Sequence, residues 1–273
     1  MEPRPFFIHV SKCAGTALMA EVVRQYGTDG VFQFGGDIDA RIETLRQMDP
    51  RERADIRAFG GHVPFGIDPL VGGPLFPFAL LRDPVARIAS HYAYVVRHRD
   101  RPMQGQMLEG VSSIDEYVVR SPAAHLFNNA GVQRLGGDAL APPRPADESH
   151  LATALERMHD GRILVGLQEH FPESLALFAR HFGWRHVAVT HDNTAPGRSP
   201  AAGLAPETVR LIERHNALDR ALFEAAGVEV ATRVADADGL ADEVRRMQRR
   251  GRVLTVRAAA RRAVRTVRRR LPR

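Results

Sequence analysis

The sequence predicts an α/β fold built on a central, mostly parallel sheet flanked by helices. Two apolar runs of strand length, Pro5–Val10 and Phe76–Arg82, are each followed directly by a helix start. Further strand-like runs at Ile163–Leu167 and Val187–Thr190 alternate with long helix-periodic stretches. Strands that alternate with helices pair in parallel, because each connection crosses back over the sheet. A chain of 273 residues can bury one sizeable core, so residues 1–230 are expected to form the main domain. Residues 231–273 are expected to form an Arg-rich extension, helical or partly disordered.

Each element has its own warrant. Pro5-Phe6-Phe7-Ile8-His9-Val10 reads as a buried strand, and Thr16 to Tyr26 as the helix after it, with Leu18, Val22 and Val23 available for packing. Residues 39–57 read as a polar helix or helix pair broken near Asp49-Pro50, since proline fixes φ and lacks an N–H donor. Ala58 to Val63 reads as a short strand running into Gly60-Gly61-His62-Val63-Pro64-Phe65-Gly66. After the strand Phe76–Arg82, Asp83 is an N-cap and Pro84 a first helical residue, which starts a helix to about His98. Val85, Ile88, Ala89, Tyr92 and Val96 give it an apolar face, and Arg87, Ser90, His91 and Tyr94 project from another. Further helices are expected near 112–130, 147–159, 171–182 and 205–226.

Composition is that of an ordinary globular protein, with 44% apolar and 26% charged residues. The net charge of +6 conceals a division, because residues 244–273 carry 13 Arg and no acid whereas the remainder carries 25 basic and 32 acidic side chains. In the tail Val253, Val256, Ala260, Val264, Val267 and Leu271 recur at helical spacing, a weak apolar stripe among arginines. Such a helix suits peripheral contact with an anionic membrane or an acidic partner, or it is a solvated extension; no specific nucleic acid is expected. The lone Cys13 excludes an internal disulfide and a multi-cysteine metal site and fits a reducing compartment. No basic start followed by a long apolar run opens the chain, and the longest apolar stretch, Pro69–Leu81, is too short and too rich in Gly and Pro to span a bilayer. A cytoplasmic location follows as the expectation, at the inner membrane surface if the tail binds lipid.

Lys12 is the only lysine beside 37 arginines, and it lies in the loop His9-Val10-Ser11-Lys12-Cys13-Ala14-Gly15-Thr16 between the first strand and its helix. A compact ammonium retained where arginine is otherwise the rule suggests a site a planar guanidinium cannot fill. A strand, glycine-bearing loop and helix leave amides unpaired at the positive end of a helix dipole, where phosphate or sulfate binds. Because Lys precedes the Gly, the order differs from a nucleoside-triphosphatase loop, which weakens an ATP·Mg²⁺ reading. Arg82 ends a predicted strand and Ser90 follows eight residues on. Ligands of open α/β sheets bind beyond the strands' carboxyl ends, so Arg82 and the Lys12 loop should share one crevice and a doubly phosphorylated nucleotide. Cys13 at a helix start admits a nucleophile reading, against which stands its simple fit as a small loop residue.

The loop His9–Thr16 resembles the 5′-phosphosulfate loop of sulfotransferases, and Leu81-Arg82-Asp83-Pro84-Val85-Ala86-Arg87-Ile88-Ala89-Ser90-His91-Tyr92 resembles their 3′-phosphate motif. Gly61-His62-Val63-Pro64-Phe65-Gly66 is similar to the histidine motif of the carbohydrate enzymes related to the uronyl 2-O-sulfotransferases. Leu164–Ser174 and Glu213–Asp219 fit the same group, so the resemblance covers roughly residues 5–226. It implies a P-loop-like sulfotransferase fold and transfer of a sulfuryl group from 3′-phosphoadenosine-5′-phosphosulfate to an acceptor hydroxyl, on a carbohydrate or glycoconjugate, without a metal. It also implies roles. Lys12 would bond the oxygen bridging sulfur and phosphorus; the amides of Cys13, Ala14, Gly15, Thr16 and Ala17, with the Thr16 hydroxyl, would hold the 5′-phosphate; Arg82 and Ser90 would hold the 3′-phosphate; His62 would be the general base.

Departures from the pattern matter. Ser11 stands where proline is common, Gly60 where the uronyl enzymes carry a further histidine, and Asn128–Arg134 matches loosely. Two other readings stay open on the residues alone: an ATP-dependent small-molecule kinase, and a non-catalytic polyanion-binding protein acting through its basic tail.

Overall fold

The computed structural model describes residues 2–142, 144–189 and 200–270. Its first half runs β1 (Arg4–Ile8), α1 (Gly15–Tyr26), β2 (Val31–Phe34), α2 (Ile38–Gln47), α3 (Pro50–Asp55), β3 (Ala58–Gly61), α4 (Asp68–Val71), β4 (Leu75–Leu81) and α5 (Pro84–Arg97). Then come α6 (Pro102–Met107), α7 (Ile114–Arg120), α8 (Ala124–Phe127), α9 (Ala130–Gly136), α10 (Glu148–His159), β5 (Leu164–Leu167) and α11 (Phe171–His181). A short 3₁₀ turn, Pro200–Gly203, precedes α12 (Pro206–His215), α13 (Ala217–Ala235) and α14 (Leu240–Arg270).

The five strands lie in the order β2-β3-β1-β4-β5, every pairing parallel. From β1 the chain goes to β2 and β3 on one side, then crosses to β4 and β5 on the other. β1 and β4 therefore flank the point where strand order reverses, the place where α/β sheets open a ligand crevice. In register Ile8 stands opposite both Gly61 and Ala79, so β1, β3 and β4 end nearly level and deliver His9, His62 and Arg82 to one rim. β4 is anchored by Phe78, whose ring meets Phe7 at 5.3 Å, Phe178 at 5.1 Å and Phe182 at 4.8 Å.

The break at Asp49-Pro50 is real: Asp49 accepts from the Arg51 amide at 2.8 Å and α3 begins at Pro50. Asp83 caps α5 through the Ala86 amide at 2.8 Å, as expected. Several expectations need correction. β2 was not foreseen; its four residues are too few to show a period and are strand because β3 pairs with them. The run at 187–190 is not a strand over residues 187–189, and Thr190 lies outside the described residues. Val187 and Ala188 are buried there, and the Val189 amide donates to Met247 O at 3.2 Å, so this segment packs on a helix instead of a sheet. Arg87 and His91 do not line a polar face of α5; both are buried.

The boundary expected after residue 230 falls inside α13, and Val230 is buried. Leu240, Val244 and Met247 of α14 join the main core, and a Cβ on Gly251 would lie 1.7 Å from Val189 O. The first three turns of α14 thus belong to the body, each buried apolar side chain contributing about 1.5–3 kcal/mol. Past Gly251 the helix turns outward: Val253 is 51% and Leu254 44% exposed. Of the tail's apolar stripe, Leu271 lies outside the described residues.

Candidate functional site

The loop after β1 bends through two left-handed residues, Lys12 at φ 68° and Ala14 at φ 55°. Left-handed turns of this kind gather successive amides toward one concave side, an anion-binding geometry. α1 starts at Gly15 with no side-chain cap, and its first bonds run from the Ala17 and Leu18 amides to Ala14 O at 3.1 and 3.2 Å. The amides of Gly15 and Thr16 have no acceptor within the helix, whereas that of Ala17, expected in the cradle, is engaged by Ala14. Thr16 is exposed at the rim. A Cβ at Gly15 would stand 1.9 Å from His9 Nε2, so the glycine makes room for an imidazole.

Lys12 lies over the Tyr94 ring, Nζ 4.3 Å from its centroid, and its ammonium has no hydrogen bond or ion pair among the described residues. Burial, then Arg82 and Arg97, lowers its pKa. Ser90 and Tyr94 are one helical turn apart on α5, so Lys12 over Tyr94 brings Ser90's face of the helix toward the loop. Ser90 is half-buried and makes no side-chain hydrogen bond among the described residues. Arg82 NH1 donates to Lys12 O at 3.2 Å, which joins the ends of β1 and β4 as the strand logic required.

Cys13 is buried, its Sγ 3.7 Å from Ser11 O, and burial pushes its thiol up to about 12. Desolvation outweighs the helix start, so the thiol stays protonated at neutral pH and the nucleophile reading fails.

His62 follows β3 directly. Its Nδ1 lies 2.8 Å from His9 O and 3.5 Å from Ser11 Oγ, and its ring stacks on that of His9 with centroids 4.1 Å apart. A carbonyl only accepts, so Nδ1 carries the proton and Nε2 is the basic nitrogen. Burial, then Arg134, lowers the His62 pKa from 6.5 to about 4, while the bond to His9 opposes the shift. His62 is thus neutral and able to take a proton at pH 7. A second imidazole, that of His9 just after β1, stands beside His62. No pattern in the sequence pairs β1 with β3, and that pairing is what puts the two rings together.

Beneath the loop lies a buried network. Arg87 NH2 donates to Asn216 Oδ1 at 2.9 Å and to Asp219 Oδ2 at 3.0 Å. Asp219 also accepts from the amides of Gly131 and Val132 at 3.2 and 2.9 Å, and Asn216 Oδ1 from the Asn129 amide at 3.0 Å. The start of α9 is thereby held against α5, and its end against the His62 loop, through Phe65 N to Arg134 O at 3.0 Å. Asp219 is taken up by Arg87, and among the described residues Lys12, Arg82 and Arg134 form no salt bridge with a carboxylate. That surplus of cations fits a polyanionic ligand. Among the described residues no group of three or more His, Cys, Asp or Glu side chains could hold a metal ion.

A family model described as galactose-3-O-sulfotransferase matches residues 65–267. The match takes in Arg82, Ser90, Arg134 and most of α14 and begins after Lys12 and His62. Among solved structures, mouse sulfotransferase SULT7A1 complexed with PAP matches at 16% identity and a TM-score of 0.42, over 82% of this chain and 89% of that one. No curated protein matches the chain.

Proposed function

The chain belongs to the galactose-3-O-sulfotransferase family, and from that premise we propose that its crevice at β1 and β4 transfers a sulfuryl group from 3′-phosphoadenosine-5′-phosphosulfate to a carbohydrate hydroxyl. The observation that carries this is the contact of Arg82 NH1 with Lys12 O, which sets two separate anion-binding features side by side, with His62 on the same rim. When bound, the donor supplies a sulfuryl group already attached to a phosphate leaving group.

The chain's own residues do the rest. The Gly15 and Thr16 amides and the Lys12 ammonium hold the 5′-phosphate end, and Lys12 stabilises the charge that gathers on the leaving oxygen. Arg82 and Ser90 take the 3′-phosphate. His62 accepts the acceptor's proton at Nε2, its ring fixed by His9 O. Transfer passes in line through a loose transition state, so holding the reactants in place and stabilising charge are the main tasks. Lys12 and His62 precede the family match, and their roles rest on the arrangement of this crevice.

Calorimetric titration tests the donor site. Adenosine 3′,5′-bisphosphate should bind the wild type more tightly than ATP·Mg²⁺ does, and Lys12→Ala and Arg82→Ala should each weaken it. Preference for ATP would overturn the reading in favour of a kinase. For location, the free buried Cys13 and the arginines of residues 244–273 support a cytoplasmic protein touching an anionic membrane through α14. Among the described residues no helix is long and apolar enough to cross a membrane. Co-sedimentation with anionic vesicles, lost on deleting residues 256–273 and weakened by salt, checks that contact.

A further inference from the structure

Arg134 stands apart from the other enclosed cations. Its Nε is buried with no hydrogen-bond partner, as in Arg4, Arg87 and Arg157, but where those three bond through their terminal nitrogens, the Arg134 guanidinium makes no hydrogen bond and meets no carboxylate among the described residues. Around the side chain stand His9 and Cys13 from the end of β1 and its loop, His62 after β3, Arg87 and His91 from α5, and Asp219 from α13. Asp219 is held by Arg87 and two amides, so it cannot also neutralise Arg134. The backbone leaves little freedom to escape: the Arg134 carbonyl takes the Phe65 amide, and the next turn is clamped by Arg157 NH1 to Leu135 O at 2.7 Å and Gly137 O at 2.8 Å.

A buried guanidinium without a counter-ion is costly to keep unless an anion arrives in the working state. We propose that Arg134 binds the sulfonate oxygens of the group in flight, from the His62 side, opposite the Lys12 ammonium on the leaving side. This rests on the sulfuryl-transfer reading above. In the step it assists, the acceptor O–H gives its proton to His62 Nε2, the acceptor oxygen bonds to sulfur, and the sulfur–oxygen bond to the 5′-phosphate breaks with its electron pair on the phosphate oxygen. The charge spread over the sulfonate oxygens then lies between two fixed cations. Arg134 also keeps the nearby imidazole in its basic form, since it is the second cause, after burial, of the low His62 pKa.

The product nucleotide lacks the sulfonate, and this separates the possibilities. Arg134→Gln should lower kcat by about 10²-fold, leave the affinity for adenosine 3′,5′-bisphosphate within about twofold, and leave the acceptor KM unchanged. The acidic limb of the pH–rate profile should move to higher pH, because a repelling charge near His62 is gone. Arg134→Lys, which keeps the charge, should recover part of kcat and the original limb, and it covers the case in which the glutamine variant folds poorly. Loss of bisphosphate affinity would place Arg134 on a phosphate instead, and a raised acceptor KM at unchanged kcat would place it on the acceptor; either overturns the proposal, as does normal turnover. Failure of the wild type to bind the bisphosphate would sink the sulfotransferase reading itself.

Discussion

Two groups of enclosed charges behave in opposite ways. Arg87 is buried with a carboxylate at 3.0 Å and an amide oxygen at 2.9 Å, and through Asp219 and Asn216 it ties α5, α9 and α13 together. Lys12 and Arg134 have no anionic partner among the described residues, and Lys12 rests on an aromatic face. The lesson is that burial of a charge does not tell its purpose; its partners do. A cation closed by a carboxylate of its own chain is architecture, and one left open at a sheet's switch point is set for a ligand.

The contrast breaks if the two groups fail in the same way. The largest expected effect is His62→Gln, which should lower turnover by about 10²–10⁴-fold while leaving adenosine 3′,5′-bisphosphate binding and the melting temperature intact; steady-state kinetics beside calorimetry checks it. Arg87→Ala should do the reverse. It strands Asp219 without its cation, so denaturant titration should show a loss of about 3–5 kcal/mol. Arg82→Ala loses a charge-assisted contact and should weaken bisphosphate binding by about 10–100-fold with unchanged stability. Gly15→Ala sharpens the comparison, since its Cβ must displace the His9 ring on which His62 stacks. Overpacking of about 1–3 kcal/mol is expected in thermal unfolding, with a disproportionate fall in kcat.

A smaller effect appears with pH. Burial is the first cause lowering His9 to about 3, His62 to about 4 and His91 to about 3, from an ordinary 6.5. The folded rings stay neutral where unfolded ones take up protons, so stability is full above pH 6.5 and falls as pH drops toward 4, with about three protons taken up on unfolding. Melting temperatures measured from pH 7 to pH 4 should decline steadily, and His62→Gln should flatten the slope by about a third.

Much of the site was legible because its signals are local. Lys12, the glycine-bearing loop, Arg82 at a strand end and the Asp83-Pro84 helix start each sit within a few residues of the feature that explains them. Sheet order is not local, and so β2, the His9–His62 stack and the surroundings of Arg134 leave no mark in the sequence. The residue types of Arg87 and His91 suggest a polar face, and only the packing around α5 reverses that, Arg87 against Asp219 of α13 and His91 against Tyr117 of α7 and Phe127 of α8. The tail misled by composition: thirteen arginines drew attention from Leu240, Val244 and Met247, whose spacing seats the helix on the body.

By itself the sequence determined an α/β chain with a first strand opening into a glycine-bearing loop and a helix, since apolar run length, glycine position and capping residues act over a handful of neighbours. Tertiary structure alone decided which strands lie side by side, which imidazole faces which, and which arginine meets a carboxylate. Those outcomes depend on contacts between residues far apart in the chain, such as His9 with His62, 53 residues on, and Arg87 with Asp219, 132 residues on. Chain neighbours cannot encode them, because a charge takes its meaning from whatever the finished fold brings within hydrogen-bond reach.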